Sequence, residues 1–381
     1  MNRLLIVQPY VPDYRVPLFS EMKRSLVARG IELAIAASEP QELQGQRGDD
    51  RTTLAADYKI RCRQLSIGKR TLLWRDLAST LRDYDPDLLI VEQAIKNVEA
   101  WNPLISQHLG GRTRVAMWGQ GRSYSTKQSR VEADIKQWLT RRASWFFAYT
   151  PAGAEYVASK GFPSDRTTVL WNSSDTESLR RDMASLIRDD VEKFRREWNL
   201  ERGKTALFIG GVDQRKGISF LLESARLVAE SIPGFTLMIA GAGDMSDVVT
   251  REASAGSPVR PLGRIDGREK ALALATSDVL MIPEWIGLVA VDALTAKKLV
   301  ITTDHPSHSP EIDYLTFGVN AVMTPHDSHA YAQAVIENLD QRNPFRQEAM
   351  TTESLLPDLS VESMAANYVD GIEAWQECLR R

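Results

Sequence analysis

Three short segments in the second half of this 381-residue chain combine residue types that can hold an anion and a hydroxyl-rich ligand. The first, Gly210-Gly211-Val212-Asp213-Gln214-Arg215-Lys216-Gly217, leaves an apolar run and opens a helical one. Its glycines let backbone N–H groups approach a ligand, a helix N-terminus follows, and Arg215 and Lys216 add charge, a composition suited to a phosphate or diphosphate. The glycine spacing is not that of a Walker loop, and no Ser or Thr follows Lys216. A plain turn with solvated Arg215 and Lys216 satisfies the same pattern. The second segment, Ile239-Ala240-Gly241-Ala242-Gly243-Asp244, has a G-x-G without the third glycine of a dinucleotide fingerprint, and ordinary turn chemistry accounts for it too. The third, Pro283-Glu284-Trp285-Ile286-Gly287-Leu288-Val289-Ala290-Val291-Asp292, carries two carboxylates eight positions apart around a glycine that opens a helix. Amides of Gly287, Leu288 and Val289 at that helix start can hold an anion, while Glu284 and Asp292 can accept from sugar and ribose hydroxyls. Taken singly, either acid also fits a capping or solvent-facing role.

Such loops need a scaffold, and the apolar pattern supplies one. Strands are expected at Arg3–Val7, Ile31–Ala37, Asp87–Val91, Arg114–Trp118 and Ser144–Tyr149, with helices at Leu18–Arg29, 71–83 and 130–142 between them. The second half repeats the style, with strands at Ala206–Ile209, Phe235–Ala240, Val279–Ile282 and Leu299–Thr302 and helices near 217–230, 268–276 and 288–297. Asn320–Met323 reads as an edge strand and Asp327–Leu339 as a helix. A polar connector from Asn172 to about Gly203 separates the halves. The last stretch, Glu362–Arg380, has Met364, Tyr368, Ile372 and Trp375 at helical spacing and is expected to pack on another surface. The fold class that follows is α/β, with two doubly wound parallel sheets. In such sheets ligands bind beyond the carboxyl ends of the strands, which is where the three segments lie.

Composition narrows the class. With 43% apolar and 25% charged residues, disordered, collagenous and coiled-coil chains are excluded. No apolar run approaches the ~18–20 residues of a bilayer span, and the opening residues lack a signal-peptide core, so a cytoplasmic location is expected. Cys62 and Cys378 stand far apart without metal-ligand spacing, and no disulfide is expected. The net charge of −3 hides an asymmetry: residues 1–170 carry 25 basic and 18 acidic side chains, a balance of +7, against −10 for the remainder. A positive first half suits an anionic lipid surface or a phosphorylated acceptor. Its densest stretches are Arg61–Arg70 and Arg112–Arg142, the latter interleaved with Trp118, Tyr124, Trp138, Trp145 and Phe146. A solvated helix face with its tryptophans in the core is the competing reading.

The order Gly210…Arg215-Lys216-Gly217, Ala240-Gly241-Ala242-Gly243-Asp244, Leu262-Gly263-Arg264-Ile265, then Glu284 with seven residues to Asp292, resembles the GT-B fold glycosyltransferases of family 4 over almost the whole chain. Gln8-Pro9-Tyr10 through Tyr14-Arg15-Val16-Pro17-Leu18-Phe19 looks like a branch common in bacterial surface-polysaccharide pathways, and Val169–Asp175 resembles the usual exit from the first domain. The resemblance implies two Rossmann-like domains facing across a cleft: an acceptor-binding domain (1–171), a donor-binding domain (172–356) and a C-terminal helix (357–381) returning to the first. It implies that Lys216 neutralises the donor diphosphate and Glu284 contacts the transferred sugar. Gly210, Gly211, Arg215, Gly241, Trp285 and Ile286 would line the donor, and Gly287, Leu288 and Val289 would present amides to it. Asp292 would contact ribose, and Gly263-Arg264-Ile265 would wall the base. Tyr14, Arg15, Gln120 and Arg122 would present the acceptor. This sequence departs from the family pattern at four places: Asp292 replaces a glutamate, Gly211 an arginine, Gln120 a histidine and Trp285 a glycine.

The expected activity is retaining transfer of a sugar from a nucleoside diphosphate, UDP before GDP, to a hydroxyl of a carbohydrate or lipid-linked acceptor. It needs no cofactor and no metal, and no nucleic acid is involved. Contact with an anionic membrane through the basic first half, at the inner membrane face, belongs to the same expectation. A nucleotide-sugar-binding protein without turnover and a GT-B nucleotide-sugar isomerase are the alternatives. Two further patterns have simpler explanations. Asp83-Tyr84-Asp85-Pro86-Asp87 has metal-binding Asp-x-Asp spacing but reads as a turn into a strand. His305, His308 and Glu311 are spaced like ligands, but Pro306 and Pro310 break any helix that would align them, so a loop near the donor is expected.

Overall fold

The computed structural model describes residues 2–40, 45–67, 70–122, 124, 129–339 and 358–380. The chain divides into two compact units: Met1–Gly45, Asp49–Ser174 and Asp358–Arg381 form one, Gln46–Gly48 and Asp175–Pro357 the other. The expected end of the donor domain, 340–356, and parts of the two basic stretches, 68–69 and 125–128, lie outside the described residues.

The first unit is built on a seven-stranded parallel sheet. Its strands are β1 (Arg3–Gln8), β2 (Glu32–Ala37), β3 (Tyr58–Lys59), β6 (Leu88–Glu92), β7 (Arg114–Gly119), β8 (Trp145–Ala148) and β9 (Thr167–Val169), in the order β3-β2-β1-β6-β7-β8-β9. Leu4, Leu5, Ile6 and Val7 are all buried, as a central strand covered on both faces requires. Leu4 and Ile6 enter one core and Leu5 and Val7 the other, the alternation a pleated strand imposes. Helices Val16–Val27 and Val361–Arg380 cover the first of these faces, with Met364, Tyr368, Ile372 and Trp375 buried there. Gly371 makes that approach possible: a Cβ on it would meet Thr168 Oγ1 at 2.5 Å and Phe147 Cε1 at 2.6 Å.

One expectation fails in this unit. Residues 71–83 are not one helix; β5 (Arg70–Arg75) pairs antiparallel with β4 (Cys62–Ile67), and only Ala78–Tyr84 is helical. Leu73 and Arg75 point inward while Trp74 is exposed, a period of two that the run of leucines conceals. Arg75 is anchored by Glu99 at 2.5 Å, and the Leu73 amide donates to the Lys96 carbonyl.

In the second unit six parallel strands run β12-β11-β10-β13-β14-β15: β10 (Thr205–Ile209), β11 (Thr236–Ala240), β12 (Val259–Gly263), β13 (Val279–Met281), β14 (Val300–Thr303) and β15 (Ala321–Thr324). Helices Ile218–Ser231, Gly267–Thr276, Val289–Thr295 and Ser328–Leu339 pack on it around one core. Strand β12 escapes the sequence pattern because it is a half-exposed edge that contains Pro261, which an edge tolerates.

Candidate functional site

Strands β10, β13, β14 and β15 are successive neighbours, and from their carboxyl ends the chain delivers Lys216, Glu284, His305 and His326. This is the edge of an open α/β sheet at which ligands gather. The Gly210–Gly217 loop is pinned to the next loop backbone to backbone: Gly210 N donates to Ala240 O and Val212 N to Ala242 O, both at 3.0 Å. A Cβ on Gly241 would sit 1.8 Å from Gly210 O, and one on Gly243 would sit 2.4 Å from Val212 O. Close packing of two loops therefore accounts for the G-x-G.

Asp213 caps the short 3-10 turn Gln214–Lys216, accepting from the Arg215 amide at 3.1 Å. Its carboxylate also meets the guanidinium groups of Arg215 and Arg47, each at 3.1 Å. Burial would raise its pKa, but these two arginines hold it below the usual carboxylate range. Lys216 turns its ammonium to the Trp285 carbonyl at 2.6 Å. Burial, opposed by Asp213, lowers its pKa from 10.5 to about 8.

Trp285 adopts φ +49°, a left-handed conformation in which a glycine is relaxed and a tryptophan is not. Its ring lies 5.4 Å from the Arg215 guanidinium. The loop it begins is fixed by buried His308, whose Nδ1 accepts from the Ile286 amide at 3.1 Å while Nε2 donates to Thr303 O at 2.9 Å. Desolvation, opposed by the Thr303 bond, keeps that imidazole below its ordinary pKa. The helix opens at Val289, two residues later than Gly287, and Asp292 is its buried acid. Lys270 reaches Asp292 at 2.7 Å.

Glu284 rests on Gly217, whose φ is +66° and whose hypothetical Cβ would lie 2.7 Å from the carboxyl carbon. Its Oε1 is 2.9 Å from His326 Nε2 and its Oε2 is 3.8 Å from His305 Nε2. Gly263, also left-handed, accepts the Gly241 amide, and Arg264 Nη1 donates to the Arg47 carbonyl at 3.4 Å. Ile265 is partly buried against the core.

In the first unit, Tyr14 and Arg122 are exposed and Gln120 is partly so. Arg122 lies 4.5 Å from the Tyr124 ring, and its carbonyl accepts from Lys136. Arg15, expected at an acceptor, is only 4% exposed. Its guanidinium donates to Asn172 Oδ1 at 2.8 Å and lies over the Trp118 and Tyr149 rings, so it ties the loop after β1 to β7. Desolvation of a cation between aromatic faces makes this a structural role. The Asp83–Asp87 run is the turn into β6: Asp85 has φ +46° and Asp87 accepts the amides of Asn2 and Arg3.

Residues 203–341 match the family model described as glycosyl transferases group 1. This segment is a group 1 glycosyl transferase domain. Over 124 residues the chain is 33% identical to the phosphatidyl-myo-inositol mannosyltransferase of Mycobacterium tuberculosis, an overlap of 30% of this chain and 33% of that one. The chain thus spans about a third of the length of the curated relatives it first matches. Among solved structures, a glycosyltransferase from Rickettsia africae superposes with TM-score 0.68 at 14% identity, covering 100% of this chain and 99% of that one. Anabaena HepE in complex with UDP-glucose superposes with TM-score 0.65 at 14% identity and the same coverage. These likenesses establish the fold, which is GT-B.

Within the group 1 domain two polar residues, Lys270 and His326, escaped the sequence reading, and a third, His305, reads there only as part of a loop near the donor. Lys270 sits on a different helix from Asp292, and nothing local joins them. His326 follows an edge strand of mixed burial, and His305 stood out only as part of a sequential trio that does not converge, since His308 faces Ile286 and Thr303 instead. The signal available was positional: His305 stands two residues past the end of β14, the neighbour of the glutamate's own β13, and His326 two residues past the end of β15, one strand further out.

Proposed function

We propose that the chain is a glycosyltransferase that moves a sugar from a nucleoside diphosphate donor, UDP before GDP, to a hydroxyl of a carbohydrate or lipid-linked acceptor. The observation that carries this reading is the convergence of Lys216, Gly217, Glu284 and Trp285 at the carboxyl edge of the second sheet. A cation held by one backbone carbonyl, beside a carboxylate, matches a ligand that is anionic at one end and hydroxylated at the other. The Trp285 carbonyl keeps Lys216 aimed until a diphosphate replaces it. The amides of Gly287, Leu288 and Val289 then share the phosphate charge, Glu284 accepts sugar hydroxyls, and Asp292, shared with Lys270, accepts from ribose. Gly263, Arg264 and Ile265 bound the base.

Stabilising the diphosphate as its charge develops is the main catalytic demand, because the leaving group carries that charge away from the sugar. Retention follows if the acceptor attacks from the face the diphosphate leaves, with a phosphate oxygen taking the acceptor proton. Tyr14, Gln120 and Arg122 in the first unit are the acceptor-facing groups of this reading. Contact with an anionic membrane through the basic first half, on the cytoplasmic face, is its cellular counterpart; among the described residues no helix is long and apolar enough to cross a membrane.

The test is nucleotide release from UDP-glucose, UDP-galactose, UDP-N-acetylglucosamine and GDP-mannose, with and without simple glycoside and polyprenyl-phosphate-sugar acceptors. Acceptor-stimulated release with the donor's anomeric configuration retained supports the reading. Tight binding without release indicates a binding protein, and an isomerised sugar formed without acceptor indicates an isomerase; either refutes transfer.

A further inference from the structure

Two histidines supplied by separate strands converge on the carboxylate assigned above to the donor sugar. His326 Nε2 is 2.9 Å from Glu284 Oε1, His305 Nε2 is 3.8 Å from Oε2, and the three candidate ligand atoms all lie within 4.8 Å of one another. Each ring is fixed independently of Glu284. His326 stacks on Phe220 with centroids 4.5 Å apart and planes 20° apart, and its backbone amide donates to Asp304 Oδ1 at 2.9 Å. His305 accepts the Ser307 amide on Nδ1 at 3.3 Å and lies 4.9 Å from the His326 ring.

The Ser307 contact decides the chemistry. An amide N–H can only donate, so Nδ1 of His305 is an acceptor and the neutral ring carries its proton on Nε2. That nitrogen lies 3.8 Å from Glu284 Oε2, a charge–dipole contact longer than a hydrogen bond. A metal bound at Nε2 would require the proton to move to Nδ1, where the Ser307 N–H already points. His326 Nε2 likewise approaches a carboxylate oxygen, which accepts, so it too bears hydrogen. One N–H therefore bonds the carboxylate from the loop after β15 and a second lies 3.8 Å from its other oxygen in the loop after β14, while Gly217 leaves no room on the third side.

We propose that His326 is a positioning residue for Glu284, backed by His305, and that the pair makes this carboxylate a selective acceptor for the hydroxyls of a neutral hexose on the donor. The inference rests on the donor reading above. With Oε1 already accepting from His326, the lone pairs left on Glu284 are those turned away from the imidazoles, and they suit the hydroxyl donors of a sugar in one orientation. Free to rotate, the same side chain loses that orientation and pays rotamer entropy on binding.

The experiment measures affinities of UDP, GDP and the four nucleotide sugars named above for wild type, His326→Ala, His326→Gln and His305→Ala, each checked for an unchanged melting transition. The expected result is that His326→Ala weakens the best-bound nucleotide sugar about tenfold, the scale of one hydrogen bond to a charged group. Free UDP or GDP should bind within twofold of wild type, and His326→Gln, whose amide can still donate, should restore sugar affinity to within about threefold. His305→Ala should give a smaller loss of the same sign. An unchanged nucleotide-sugar affinity in His326→Ala, or equal losses for the nucleotide and its sugar, overturns the proposal. So does stoichiometric Zn²⁺ binding by wild type that His305→Ala abolishes, because the rings would then be ligands. A wild type that binds neither nucleotide nor nucleotide sugar refutes the donor reading itself, and the positioning role with it.

Discussion

Lys216 offers the sharpest test, because its protonation is linked to both stability and ligand binding. Burial brings its pKa from 10.5 to about 8, opposed by Asp213, which corresponds to about 3 kcal/mol of disfavour for the charged form. In the free protein this opposes folding below pH ~8, where folded and unfolded chains both carry the charge. The opposition fades as pH rises from ~8 to ~10.5, where the unfolded chain binds more protons than the folded one. A diphosphate reverses the balance, since it needs the ammonium charged. The charged fraction of a group with pKa about 8 falls roughly tenfold between pH 7 and pH 9, so the Kd of UDP should rise about tenfold over that interval. Working above pH 7 keeps the terminal phosphate, with a pKa of roughly 6, fully ionised. Isothermal titration of UDP in buffers of different ionisation enthalpy should show proton uptake approaching one per UDP at pH 9. In Lys216→Met both the pH dependence and the proton uptake should vanish, with affinity at pH 7 lower by roughly 10- to 100-fold, the range of a hydrogen bond to a charged group. Lys136, the other amine brought to about 8 by burial, remains in this variant and controls for indirect effects. A pH-independent Kd in wild type, or a Lys216→Met protein that binds UDP normally, would refute the assignment of this ammonium to the diphosphate.

Gly217→Ala should lower stability by about 1–3 kcal/mol, because a Cβ at φ +66° would meet the Glu284 carboxyl at 2.7 Å; chemical denaturation measures it, and nucleotide-sugar affinity should fall with it. Asp292→Asn leaves the Lys270 ammonium without its carboxylate and should destabilise by roughly 2 kcal/mol, below the ~3–5 of a fully buried pair. It should also reduce the preference for UDP over 2′-deoxy-UDP in competition binding, and a preference left intact would remove ribose from the role of Asp292. Gly371→Val should destabilise the first unit by about 1–3 kcal/mol, since Thr168 and Phe147 occupy the space a side chain needs; an unchanged denaturation midpoint would count against the packing described for the C-terminal helix.

Much of this architecture is legible in the sequence because central parallel strands are buried on both faces. Leu4–Val7, Leu88–Val91 and Ala206–Phe208 are apolar throughout, and no helix of that length has a reason to be. The antiparallel pair β4 and β5 is not legible, because Thr71-Leu72-Leu73-Trp74 meets helical and strand templates alike and only its partner strand decides. Arg15 misleads for a related reason. A surface loop rich in Pro and Tyr reads as a binding face, whereas its burial depends on Trp118, Tyr149 and Asn172, more than 100 positions away.

The departures from the family pattern become intelligible once backbone and side chain are considered together. Trp285 stands where the resemblance implies a glycine, and its φ of +49° is the conformation a glycine takes without strain and one that costs a non-glycine residue about 1–2 kcal/mol. The strain is offset locally, since that turn aims the Trp285 carbonyl at Lys216 and lays the indole 5.4 Å from the Arg215 guanidinium. Asp292 is one methylene shorter than the expected glutamate, and Lys270 meets the shorter carboxylate at 2.7 Å. Gly211 lacks the arginine expected there, and a Cβ at that position would lie 3.2 Å from Asp213 Oδ2 and 3.6 Å from Arg47 Nε. The guanidinium of Arg47 thus stands beside the backbone from which an arginine at 211 would project. A positive charge thus stands at this loop from a position 164 residues away, where a comparison of position 211 alone does not look.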